Sequence, residues 1–176
     1  AAPLVPNTNE EVEDVYAPRS APQVRPDANK KQGRFAPATS QPLTANDQRF
    51  IDGIKDGLKQ SMEHHPNLVL MGQDIAEYGG AFKITEGFVD LFGKARVRNT
   101  PICESAIVGA ALGLSLQGYK AMMEMQFADF ATVGFNQIVN NLAKIYYRWG
   151  QNADVVIRMP TGGGVGAGPF HSQSNE

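Results

Sequence analysis

Arg96-Val97-Arg98-Asn99-Thr100-Pro101-Ile102-Cys103-Glu104-Ser105-Ala106-Ile107-Val108-Gly109 is an extended run that meets a proline and turns into an apolar helix. The residue ahead of a proline is pushed out of helical backbone, so 96–99 reads as extended and the helix starts only at Glu104. Its body, Ala106 to Leu116 with Ser115 inside it, is about half the ~20 residues that a membrane span needs, and reads as a buried core helix. Gly109, Gly113 and Gly118 are expected to leave room for close backbone packing. One carboxylate, Glu104, thus stands at the mouth of a small-residue apolar helix. It is either a helix cap or a proton-transfer group.

Working outward, the same alternation repeats. Phe50, Ile51, Ile54, Leu58 and Met62 recur at helical spacing opposite Asp52, Lys55, Asp56 and Lys59, with Thr44 or Asn46 as the cap and His64-His65-Pro66 as the stop. The two histidines suit the last turn of a helix, where positive charge is favoured, better than a metal site. Leu68 to Met71 is a short buried strand, and Gly72 to Gly80 the loop after it. Thr85 opens a second helix through Leu91 and Phe92. Ala121 to Met125 is a strand, Phe130 to Arg148 a long helix with Phe135, Ile138, Val139, Leu142 and Ile145 inward, and Asp154 to Met159 a last buried strand. Strands alternating with helices at this spacing predict a doubly wound α/β fold, a mostly parallel sheet with helices on both faces. In such sheets ligands sit at the carboxyl ends of strands.

The first 43 residues are different material. Seven of the eleven prolines lie at or before Pro42, among polar residues. Such a stretch cannot bury enough apolar surface to offset a chain entropy of roughly 1 to 2 kcal/mol per residue, so 1–43 reads as a linker or arm. Residues 44–176 form the domain, incomplete at its C-terminal end. The chain starts without Met and stops in a polar segment, and reads as a piece of a larger polypeptide.

A formal charge of −2 leaves no electrostatic footprint for nucleic acid. A single cysteine cannot form an internal disulfide, and no leader segment opens the chain, which points to a soluble intracellular protein away from membranes.

Three strand ends carry candidate chemistry. In the Gly72–Gly80 loop, Asp74 and Glu77 fit an ordinary glycine turn. After the next strand, Asp129 is a natural N-cap of the long helix, and Phe127 and Phe130 are core residues that could also stack on a flat heterocycle. The run Gly162 to Gly168 satisfies the loose dinucleotide fingerprint, but Pro169, Phe170 and His171 open no helix to receive a pyrophosphate. It fits better as a loop that delivers His171 to a site. Glu104 in a first helical turn is explained by the dipole alone, at about 0.3 to 1 kcal/mol. Its neighbours Pro101, Ile102, Cys103, Ala106, Ile107 and Val108 offer no cation, and burial in such company poises a carboxyl to exchange a proton.

Gly72-Gln73-Asp74-Ile75-Ala76, Thr100-Pro101-Ile102-Cys103-Glu104, Glu124-Met125-Gln126-Phe127-Ala128-Asp129-Phe130, Asn136-Gln137-Ile138-Val139-Asn140 and Phe170-His171-Ser172-Gln173-Ser174, in this order, resemble one family. It is the beta subunit, or beta half, of the thiamine diphosphate-dependent 2-oxo acid dehydrogenases, with the branched-chain type closest. The resemblance runs from about Thr44 to Glu176 and implies a transketolase-like pyrimidine-binding domain. It implies that Glu104 hydrogen-bonds the cofactor's pyrimidine ring, that Phe130 lies beside the ring, and that Ile102 and Gln126 are further cofactor contacts. His171 matches a histidine that assists substrate handling or acyl transfer. Backbone carbonyls of Ala153, Val155 and Val156 match a structural potassium position.

The implied reaction is oxidative decarboxylation of a 2-oxo acid, branched-chain rather than pyruvate, with acyl transfer to lipoyl. The implied partners are an alpha subunit or alpha half that holds diphosphate and magnesium, a second beta copy in a heterotetramer or fused homodimer, and a lipoyl acyltransferase. This chain alone is then inactive. The implied setting is a bacterial cytoplasm, or the mitochondrial matrix in a eukaryote. Two features depart from the pattern: the family usually has an acid at the position of Gln73, and the long arm suggests the joint of an alpha-beta fusion. The rival readings are a transketolase or deoxyxylulose-phosphate synthase, which keeps the glutamate but needs no lipoyl partner, and a non-catalytic assembly module in which Glu104 only caps its helix.

Overall fold

Four parallel strands in the order β2-β1-β3-β4 form the centre of the computed structural model, which describes residues 47–161, 168, 171 and 173. In chain order the elements are α1 (Phe50–His64), β1 (Leu68–Gly72), α2 (Phe88–Phe92), β2 (Val97–Asn99), α3 (Glu104–Leu116) and β3 (Lys120–Glu124), then a 3₁₀ turn at Ala128–Phe130, α4 (Ala131–Asn140), α5 (Ile145–Trp149) and β4 (Val155–Arg158). The doubly wound expectation holds. The arm over 1–43, the Thr44 and Asn46 caps and most of the glycine run lie outside the described residues.

Alternation along the strands builds two cores. Leu68 and Leu70 of β1 and Met122 of β3 face α1 and α2, where Leu58, Met62, Phe88 and Val97 join them. Val69 and Met71, with Ala121 and Met123, face the opposite way onto Ile107, Val108 and Ala111 of α3 and Ala131 of α4. Every residue of β1 is buried, as a strand covered on both faces must be. Arg96 closes one seam: Nε donates to the Leu68 carbonyl at 3.0 Å, and Nη2 donates to the carbonyls of Met62 and His65 at the end of α1.

Several local expectations are corrected. Phe50 is 85% exposed, because the buried stripe of α1 is Ile51, Ile54, Leu58 and Met62 and Phe50 stands about 100° off it. Phe135 is likewise turned out, one position past the buried Gly134. Thr85 does not open α2. It lies in the preceding turns, its hydroxyl buried and donating to the Ile75 carbonyl at 2.7 Å. The long helix breaks at Asn140-Asn141, where the chain passes through a 3₁₀ turn at Leu142–Lys144, because asparagine competes poorly for the helix interior. Asp129 caps nothing with its side chain.

The tight glycines are also not those expected. Gly113 has open space, Gly118 supplies a left-handed turn, and Gly109 meets Gln137 only at ordinary contact distance. The close crossing of α3 and α4 is at Gly134, where a Cβ would fall 3.1 Å from Met125 Cε and 3.2 Å from Val108 Cγ2. Gly72 is tighter still. A Cβ there would lie 2.7 Å from the backbone oxygen of Glu124, its register partner on β3. Gly72→Ala is therefore expected to destabilise the fold by about 1–3 kcal/mol, the usual cost of overpacking, read as a lower urea midpoint. An unchanged midpoint would show that the two central strands can part without cost.

Candidate active site at the switch point of the sheet

β1 connects onward to β2 on one side and β3 to β4 on the other, so the crevice between the carboxyl ends of β1 and β3 is the switch point where α/β sheets bind ligands. Gln73 leaves β1 there. Glu104 arrives from β2 as the first residue of α3. Glu124 ends β3, and Gln126 to Phe130 follow it.

Glu104 is 6% exposed, and Gln73 is 5% exposed. The Gln73 Nε2 amide donates to Glu104 Oε1 at 3.1 Å. No ion pair reaches Glu104 among the described residues. The backbone on either side of Gln73 is pinned: Thr100 N–H donates to the Gly72 carbonyl at 2.9 Å, and Gly80 N–H to the Asp74 carbonyl at 2.8 Å. The loop's acids stay out of the site. Glu77 pairs at the surface with Lys94 and accepts from Asn99, and the ion pair with Lys94 holds its carboxyl below the usual range.

A cluster of rings forms the second part. His171 packs edge to face against Phe127, centroids 4.9 Å apart, and Phe130, at 5.5 Å. Phe130 and Phe82 each meet Phe127 in the same way, at 6.1 and 6.0 Å. His171 is held by its chain neighbours as well: Gln173 N–H donates to Asp129 Oδ1 at 3.3 Å, and the Thr161 hydroxyl donates to the Gln173 carbonyl at 3.0 Å. Asp129, read from sequence as a cap, is thus a buried anchor for the segment carrying His171.

A third part is a buried ion pair. Arg158 of β4 meets Glu124 of β3, its register partner. Burial pushes the Glu124 carboxyl above the ordinary carboxylate range, and the Arg158 guanidinium pulls the other way.

Of the other residues named from sequence, Gln126 is half-buried next to the ring cluster, and Ile102 is 83% exposed at the entry to α3. Ala153, Val155 and Val156 lie at and on β4. Ala121 N–H donates to the Asp154 carbonyl and Met125 N–H to that of Arg158, so these two carbonyls of β4 face β3. Among the described residues no group of three or more His, Cys, Asp or Glu could hold a metal, and no helix is long and apolar enough to cross a membrane.

Gln73 stood out in the sequence only as a departure from the family pattern, and its hydrogen bond to Glu104 was not foreseen. The signal that could have found it is its place as the first polar side chain after the central buried strand.

The family model described as the transketolase pyrimidine-binding domain matches residues 47–176. Curated relatives include the 2-oxoisovalerate dehydrogenase subunit beta of Bacillus subtilis, 42% identical over 129 residues, covering 72% of this chain and 39% of the relative. The pyruvate dehydrogenase E1 component subunit beta of Leifsonia xyli is 38% identical over 144 residues, covering 80% and 43%. The 3-methyl-2-oxobutanoate dehydrogenase subunit beta of Mycobacterium tuberculosis is 40% identical over 129 residues, covering 72% and 37%. The chain spans about two-fifths of the length of these relatives. A parallel sheet wound on both faces, a buried glutamate at its switch point and a family match across the described domain agree, and the chain belongs to the transketolase pyrimidine-binding domain family.

Proposed function

We propose that this chain is the pyrimidine-binding part of a thiamine diphosphate-dependent 2-oxo acid dehydrogenase, acting on a branched-chain 2-oxo acid in preference to pyruvate. The observation that carries the reading is Glu104: a buried carboxyl with no cation paired to it among the described residues, held by an amide, at the switch point of the sheet. A flat nitrogen-bearing ring fits such a place, because the carboxyl can exchange a proton at a ring nitrogen and the rings of Phe127 and Phe130 offer faces to stack on. Two relatives at 42% and 40% identity are named for branched-chain 2-oxo acids, which supports the substrate preference.

Bound thiamine diphosphate supplies the electron sink that lets a 2-oxo acid lose carbon dioxide. This chain's part is to hold the pyrimidine by Glu104 with Phe130, Gln126 and Ile102 around it, and to present His171 for substrate handling or acyl transfer to lipoyl. Exposed Ile102 is then covered by an alpha part, which holds the diphosphate and magnesium, and the chain alone is inactive. A second beta copy and a lipoyl acyltransferase complete the assembly, in a bacterial cytoplasm.

The test uses the full-length protein assembled with its partner. We expect thiamine diphosphate-dependent release of carbon dioxide from 2-oxoisovalerate, faster than from pyruvate, together with acylation of a lipoyl domain. Turnover that never acylates lipoyl would place the protein with the transketolases, and activity indifferent to thiamine diphosphate would leave an assembly module.

A further inference from the structure

Gln73 and Glu104 are 31 positions apart, yet they share the buried side-chain hydrogen bond of the site. We propose that Gln73 is the positioning residue for Glu104, an inference that rests on the cofactor reading above.

The contact has a fixed polarity. A carboxylate only accepts, so Nε2 of Gln73 must donate, and it holds Oε1 of Glu104 while leaving Oε2 for a ligand. An amide neither gains nor loses a proton in the working range, so Gln73 offers the same donor at every working pH. A second carboxyl at 3.1 Å would behave otherwise, because two carboxyls that close share a proton and orient each other only while they do. Gln73 is also well placed to act as a fixed arm. It leaves the most buried strand of the sheet at Gly72, where the backbone lies so close to Glu124 that a Cβ would not fit, and Asp74 after it takes a left-handed conformation, φ 55°. Other titratable groups at this end of the sheet are Glu124 with Arg158, Asp129 and His171. Their influence is common to all Gln73 variants, so the wild-type profile serves as the reference.

The experiment is calorimetric titration of thiamine diphosphate with magnesium into the full-length, partnered protein. Gln73→Met keeps the length and removes the donor, and is expected to weaken binding by about tenfold, the scale of one hydrogen bond to a charged group. Gln73→Glu should weaken it by a similar factor near about pH 8 and recover most of the loss near about pH 5.5, where a protonated carboxyl again donates. In a Glu104→Gln background, Gln73→Met should cost less than about twofold more, because the residue acts through Glu104. Wild-type affinity in Gln73→Met, a pH-independent loss in Gln73→Glu, or additive losses in the double variant would each overturn the proposal. Should Gln73→Met fail to fold, the isosteric Gln73→Glu profile decides alone. If the wild-type protein itself binds no thiamine diphosphate, the cofactor reading falls and takes this one with it.

Discussion

On the proposed function, replacing Glu104 by Gln in the full-length, partnered protein is expected to lower the rate of decarboxylation by about 10²-fold or more, the usual scale of a lost proton transfer. The magnitudes separate the two roles open to this residue. As a first-turn acid on α3 it contributes at most about 1 kcal/mol through the helix dipole, and that contribution belongs to stability, not to rate. A 10²-fold loss is about 2.7 kcal/mol of transition-state stabilisation, which a dipole term on the ground state cannot supply. The substitution keeps volume and length, and the new amide can turn its oxygen towards Gln73 Nε2, so the fold is expected to survive. Single-turnover release of carbon dioxide, with a thermal melt as control, reads both effects. A rate within about twofold of wild type would reduce Glu104 to a cap.

Arg158→Met carries the largest expected effect on stability, about 3–5 kcal/mol at neutral pH, because it strands a buried carboxyl. Glu124 is 3% exposed in its side chain and Arg158 16%, so water replaces little of what the pair supplies. The sign with pH follows from the Glu124 carboxyl. Its burial-raised value means that the folded state holds a proton where the unfolded chain has lost it. Stability is therefore fully present below the ordinary glutamate range and is lost as pH rises through the raised value. Removing Arg158 takes away the one influence pulling that value down, so the variant's deficit grows as pH rises above the ordinary glutamate range. Thermal melts across this range measure it. A deficit that stays flat with pH would assign the loss to packing of the arginine stem.

Much of the fold was legible because its signals are local. The unbroken apolar run at Leu68–Met71 could only be a strand covered on both faces, and the proline at 101 together with the acid at 104 marked where β2 stops and α3 begins. Glu104 stood out for the same reason: an acid with no cation among its sequence neighbours. What misled was direction. Phe50 and Phe135 carry the right residue type at nearly the right spacing, and one position of about 100° decides whether such a ring faces the sheet or the solvent. The break at Asn140-Asn141 was hidden by apolar residues continuing on both sides of it.

The alternating elements, the parallel sheet and a glutamate at a helix mouth follow from local pattern, since periodicity, proline and the order of motifs along the chain are written residue by residue. What that glutamate touches depends on packing between distant segments. Strand order β2-β1-β3-β4 sets the end of β1 beside the start of α3 and thereby brings Gln73 to Glu104. The same packing makes Gly134, not Gly109 or Gly113, the place where two helices cross closely, and turns Asp129 from an expected cap into an anchor for the segment of His171. These contacts join residues far apart in the chain, and no local pattern records the distance between them.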